Sequence, residues 1–223
     1  MKLSKVLFTS LFFLSLLTIG QAQQMEIGLR AGYSLFTVKS DLLELDNHYT
    51  GGLNLAIPLS IPLNERFAIQ PELQFIQKGV AFKFEEAGIT TKTALKTNFL
   101  ELPVLFKRNF QIGKMQLSAL AGPSVGYALN RFVSQKIGDG DRVTEDVDFI
   151  KEGNAKDQRW DIGLVGGMAA SWPLGNGSMV LDARFDLDLN DDARFEGDKP
   201  AGYKKSTNRG FLFSVGYVIP IGK

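Results

Sequence analysis

Apolar residues in this chain recur with a period of two, segment after segment, from Met25 to the end. Successive side chains of an extended strand point to opposite faces, so strict alternation marks strands with one apolar and one polar side. Residues 25–36 put Ile27, Leu29, Ala31, Tyr33 and Leu35 on one face and Glu26, Gly28, Arg30, Gly32 and Ser34 on the other. The pattern returns at 50–61, 67–78, 97–107, 114–129, 159–173, 178–190 and 209–222, eight segments of roughly 11–16 residues. Segment 178–190 is the cleanest, with Met179, Leu181, Ala183, Phe185, Leu187 and Leu189 opposing Asp182, Arg184, Asp186, Asp188 and Asn190. After Lys78 the apolar parity switches to Val80, Phe82 and Phe84, and a β-bulge is expected at Gly79 between the two sets.

Strands of this length exceed the five or six residues usual in soluble proteins and suit a tilted crossing of a bilayer. The links alternate. Short turns are expected at 62–65, 108–113 and 174–177, and long polar loops at 37–48, 85–94, 130–158 and 191–208. Short turns on one rim and long loops on the other are the asymmetry of an outer-membrane barrel. The expected fold is therefore all-β: an eight-stranded antiparallel up-and-down transmembrane β-barrel with short periplasmic turns and long extracellular loops.

The chain start supports export. Lys2 and Lys5 precede an apolar run at 6–19, and Gly20-Gln21-Ala22 offers the small residues of a cleavage site before Gln23. That run is too short to span a ~30 Å hydrocarbon core as a helix. The expected organisation is a signal peptide at 1–22 and a barrel domain at 23–223, located in the outer membrane.

Alternation alone does not say which face looks outward, because soluble barrels also alternate. Size decides. An eight-stranded barrel has an interior just wide enough for side chains to fill, and five or six large apolar residues per strand exceed it. The opposite face is rich in Gly and Ser with charges of both signs. A lumen charge network is expected from Glu26, Arg30, Glu72, Glu101, Lys107, Asp161, Asp182, Arg184, Asp186 and Asp188. Charges there need pairing, hydrogen bonds or water. Trp160 and Trp172 share the outward face twelve residues apart, about 30 Å along the normal at ~3.3 Å per residue and ~40° tilt. With Phe67 and Phe106 near the turns, and Tyr33, Tyr127 and Phe211 towards the loops, they are expected to form two aromatic girdles.

The segment Phe99-Leu-Glu-Leu-Pro-Val-Leu-Phe-Lys107 resembles the fourth-strand signature of the PorT-like outer-membrane β-barrel family of Bacteroidota. Gly122-Pro-Ser-Val-Gly126 is similar to that family's fifth strand, and Asp161-Ile-Gly-Leu-Val-Gly-Gly167 and Val215-Gly-Tyr217 also fit. The resemblance implies a barrel in a Gram-negative outer membrane and, through the family's namesake, an accessory part in protein secretion. It implies no catalytic residues.

Composition narrows the function classes. A net charge of +1 argues against nucleic acid as a partner, and the absence of Cys removes thiol and Cys–zinc chemistry. His48 is the single histidine and sits in the first long loop, and an envelope lipid-modifying enzyme that uses it as a base is the third reading after a scaffold and a secretion accessory. Asp186-Leu-Asp-Leu-Asn190 with Asp191 and Asp192 resembles the start of a calcium loop, but Asp191 and Gly197 occupy the places of its Gly and Glu. No enzyme activity, cofactor or metal is expected. Loop 130–158 collects Asp139, Asp141, Glu145, Asp146 and Asp148. Its apolar residues Phe132, Val133, Phe149 and Ile150 are suited to dock on a partner or to fold back over the barrel mouth. The expected partners of this monomeric barrel are outer-membrane lipid and a protein bound through loops 130–158 and 191–208.

Overall fold

The computed structural model describes residues 24–40, 47–86, 88–151, 153–199, 201–203 and 205–222. The expected signal peptide and part of the first loop lie outside them.

Eight long strands follow one another around a ring: β1 (Met25–Ser40), β2 (Thr50–Pro62), β3 (Phe67–Glu86), β4 (Ile89–Ile112), β5 (Met115–Ile137), β6 (Trp160–Leu174), β7 (Gly177–Asp188) and β8 (Ser206–Ile221). Each pairs antiparallel with its neighbours in sequence, and β1 closes on β8 from Met25↔Ile221 to Ser40↔Ser206. Closure leaves no unpaired edge, which a sheet in hydrocarbon requires. Two-residue turns, Gly113-Lys114 and Gly175-Asn176, close two of the short links. Gly113 and Gly175 adopt φ of 60° and 59°, the left-handed conformation such hairpins favour.

The alternation is realised as an apolar exterior and a polar interior. Leu29 is 63% exposed and Met168 61%, whereas Glu72 is 2% and Lys78 1% exposed. In water an exterior of this kind would be an aggregation surface; around a bilayer it is the solvent-matched face.

Three sequence expectations change. The long loop expected at 85–94 is a tight turn: β3 runs to Glu86 and β4 starts at Ile89. Thr90, Thr91 and Thr93 are β-formers whose polar character reflects water beyond the bilayer, not a loop. The third loop is likewise shortened by β5 reaching Ile137, and Val143–Val147 then pairs back onto β5. Finally, Gly79 is not a bulge. The register runs unbroken through Lys78↔Thr97, Gly79↔Lys96 and Val80↔Leu95, and the irregularity falls between Asn98 and Phe99 opposite β5. The apolar set switches faces because Val80 and the stacked pair Phe82–Phe84 lie on the inward parity where β3 has left the membrane zone.

Inside the barrel, glycines face the largest side chains. A Cβ at Gly216 would lie 2.5 Å from Arg30 Cγ, one at Gly126 2.8 Å from Glu101 Cγ, and one at Gly167 2.7 Å from Arg184 Cγ. Two apolar clusters share the interior: Phe36, Ile76, Phe99, Ala128 and Leu212, and further along Leu105, Leu120, Val165 and Ala169. A Cβ at Gly167 would also approach Ala183 O to 2.4 Å, and backbone cannot yield cheaply. Gly167→Ala is therefore expected to destabilise the barrel by about 1–3 kcal/mol, read as a lower urea midpoint in lipid vesicles; an unchanged midpoint would show that β6 and β7 have slack.

Candidate functional site

The lumen holds two ion clusters, each built by inward-facing residues from several strands. In the first, Arg184 of β7 grips Glu72 of β3 with both terminal nitrogens, each at 2.9 Å, the two-pronged geometry that suits guanidinium and carboxylate. Arg30 of β1 donates to the same carboxylate at 2.7 Å and reaches Asp182 at 2.9 Å. Arg184 Nε completes the square on Asp182 at 2.9 Å, while Gln70 and Ser214 donate to Glu72 and Asp182. Two guanidiniums and two carboxylates thus bridge β1, β3 and β7 across the barrel.

The second cluster is unequal. Lys78 of β3 places its ammonium 2.7 Å from Glu101, 2.9 Å from Asp161, 3.2 Å from Asp186 and 2.6 Å from Asp188. Four carboxylates from β4, β6 and β7 share one ammonium, which also lies 5.4 Å and 5.5 Å from the ring centres of Phe36 and Phe99. Sequence reading omitted Lys78. Its signal was present, since it continues the inward parity of Gln70, Glu72 and Gln74, but a lysine at a segment end reads as a solvent residue. Glu26 and Lys107 belong to neither cluster; both are half-buried and line a cavity of about 50 Å³ with Gln70, Gln116 and Ser178.

The aromatic residues gather in pairs on the outer face. Phe67 stacks on Phe106 at 5.2 Å, Tyr127 meets Trp160 edge-on at 5.0 Å, and Phe185 meets Phe211 at 5.1 Å. Trp172 is half-buried and pairs in register with Met179 beside a short turn, and Tyr33 lies over Gly51.

The loops fold back on the mouth. Phe149 packs on the cluster of Phe36 and Phe99, between the guanidinium of Arg131 at 4.8 Å and that of Arg159 at 4.7 Å. Arg131 pairs with Asp157 at 3.0 Å, and Asp157 accepts from the Ile150 backbone at 2.7 Å. Ile150 itself is exposed. Short strands Ala155–Asp157 and Ala193–Phe195 then join the two largest loops. The acidic pair that resembled a calcium loop holds its own chain: Tyr203 and Lys199 donate to Asp191, and Ser206 and Asn208 donate to Asp192. Beneath these loops a cavity of about 290 Å³ is lined by Val80, Phe82, Leu95, Phe99, Arg131 and Asp192.

A closed sheet with an apolar exterior and a packed, charged interior defines an outer-membrane β-barrel protein. The sequence matches the outer membrane protein beta-barrel domain family across residues 21–193, and the chain belongs to that family. No curated protein matches it. Among solved structures it is similar to the attachment invasion locus protein Ail of Yersinia pestis, with 19% identity, 88% of this chain and 99% of Ail covered, and a TM-score of 0.42. Neisserial surface protein A gives 12% identity, 87% and 97% coverage and 0.44. The outer membrane protein OprG of Pseudomonas aeruginosa gives 12%, 91% and 100%, and 0.43.

Two outcomes follow from this geometry. Replacing Lys78 by Met leaves four buried carboxylates without their shared cation, and breaking a buried pair from one side costs about 3–5 kcal/mol. The variant is expected to unfold at clearly lower urea than wild type in lipid vesicles, and an equal midpoint would refute the central role of Lys78. Burial first, opposed by the Ser206 hydrogen bond and aided by the Asp161 charge, pushes the Asp192 carboxyl up to about 6. A carboxyl raised in the fold favours it below the ordinary carboxylate range and loses that contribution as pH rises through about 6. Hydrogen exchange of loop 191–208 should therefore quicken between about pH 4 and 6 beyond its intrinsic rate, and Asp192→Asn should abolish that step.

Proposed function

We propose that the chain is a non-enzymatic barrel that stabilises the envelope or presents its loops to a protein partner, with 1–22 as a cleaved export signal and 23–223 as the barrel domain. The observation that carries this reading is the interior. Arg30, Glu72, Asp182 and Arg184 tie three strands together across the lumen, and Lys78 with its carboxylates and the Phe36 cluster fills the next level. Such an interior stiffens a scaffold and opposes a solute path. Rigid barrels carry specificity in their loops, and here the two largest loops are joined by strand pairing into one surface.

The lumen residues act in this proposal as a structural network, and the paired aromatics as girdles at the two membrane interfaces. A second reading, an accessory component of a protein secretion system, draws support from the PorT-like resemblance at 99–107, 122–126, 161–167 and 215–217.

Purified protein in planar bilayers is expected to show no porin-scale conductance, and steady large openings would overturn the filled-lumen argument. Tagged protein drawn from outer membranes should carry specific companions that are lost when 139–156 is replaced by a short Gly-Ser link. Companions unchanged by that replacement would end the loop-docking reading; secretion components among those retained would favour the second.

A further inference from the structure

The outward face of β3, β4 and β5 does not stop at the membrane. Leu73 and Phe75 on β3, Leu100 and Leu102 on β4, and Val125 and Tyr127 on β5 belong to the lipid-facing set. Along the same parity β3 continues to Lys83, β4 to Lys96 and Lys92, and β5, after its register shift, to Lys136. The register pairs Lys83 with Lys92 and Lys92 with Lys136, so three lysines stand side by side across three strands. Like charges in direct cross-strand register repel one another. None of the three forms an ion pair among the described residues, although Glu85 and Asp146 share the face.

A second tier lies closer to the bilayer. Lys96 and Arg142 line a hollow of about 240 Å³ with Tyr33, Tyr49 and Lys92. Lys96 donates to Gly51 O at 2.5 Å. Two like charges on one hollow favour an anion between them.

Height separates the possible ligands. Lys96 is four residues beyond Leu100 on β4, and Lys92 four beyond Lys96. At ~3.3 Å per residue and ~40° tilt, the tiers stand about 10 and 20 Å above the apolar band. Their parity directs them sideways over the surrounding lipid, not up into the medium. An outer-leaflet lipopolysaccharide carries phosphates at two levels, on its acylated disaccharide and on the first core sugars above.

We propose that Lys96 with Arg142, and Lys83, Lys92 and Lys136 above them, form a two-tier site on the outer wall for the phosphates of one lipopolysaccharide. The inference rests on the outer-membrane placement and is independent of whether the loops bind a protein.

The test uses full-length mature protein in phosphatidylcholine nanodiscs, titrated with rough lipopolysaccharide or with the same lipid after phosphatase treatment. Bound lipid is counted by native mass spectrometry. Wild type should hold the phosphorylated lipid at least ten-fold more tightly, and less so at high salt. The variants K96Q/R142Q and K83Q/K92Q/K136Q should each lose most of that preference while keeping the heat-shifted band of a folded barrel. Equal retention of the two lipids by wild type overturns the site, and that comparison needs no variant. Full retention by both variants overturns it too. So does displacement by heparin or inorganic phosphate at concentrations matching the lipid, which would indicate a soluble anion as the ligand. Loss of the heat shift in wild type would instead refute the membrane placement beneath it.

Discussion

Every other feature of this molecule depends on the closing of its sheet. Hydrocarbon offers no hydrogen-bond partner to an unpaired backbone amide or carbonyl, and each one left open there is costly. The sixteen-residue ladder between β1 and β8, from Met25↔Ile221 to Ser40↔Ser206, removes the only two edges a meander leaves. Closure at eight strands fixes a narrow lumen. That narrowness in turn dictates which side chains the interior can accept.

The lumen solves two problems at once. It must be filled, and its fill must cross-brace a thin wall. Arginines serve both ends, because a guanidinium is long, planar and able to hold two carboxylates. Arg30 and Arg184 fit because Gly216 and Gly167 stand opposite them with no side chain. The Lys78 level is built differently, with one ammonium against four carboxylates and two aromatic rings over it. The first cluster sets two guanidiniums against two acidic side chains and the second sets one ammonium against four, so the make-up of the interior changes along the barrel axis.

Beyond the bilayer the same sheet takes on other tasks. Its inner face turns apolar at Val80 and Phe82, where it supports the loops that cover the mouth. Its outer face turns basic at Lys96 and Lys92, beyond the apolar residues Leu100 and Leu102. One set of strands therefore meets three solvents, and the residue types change at each boundary. The loops are anchored by local chemistry rather than by a large core: Phe149 between two guanidiniums, and Asp191 and Asp192 on Tyr203, Ser206 and Asn208. Such anchoring leaves them the part of the molecule most open to partners.

The strand count, the outward face and the outer-membrane setting were legible in the sequence, because period-two alternation and bilayer thickness are both short-range constraints on each segment. Ile162, Leu164 and Met168 announce their outward parity without knowledge of any neighbour. The inward charges were recognisable as a class for the same reason. Which of them meet was not, since Lys78 finds Asp161 and Asp188 through strand order, tilt and register, and these are properties of the closed ring. The slip at Gly79 misled for a related reason: alternation reports a change of environment and a change of face in the same way. Sequence alone thus determined an outer-membrane barrel of eight strands. The tertiary structure decided how acids 83 and 110 residues beyond Lys78 come to share its ammonium and how Lys136 joins the Lys83–Lys92 pair in one row. Those contacts are set by cross-strand register, which a linear pattern does not encode.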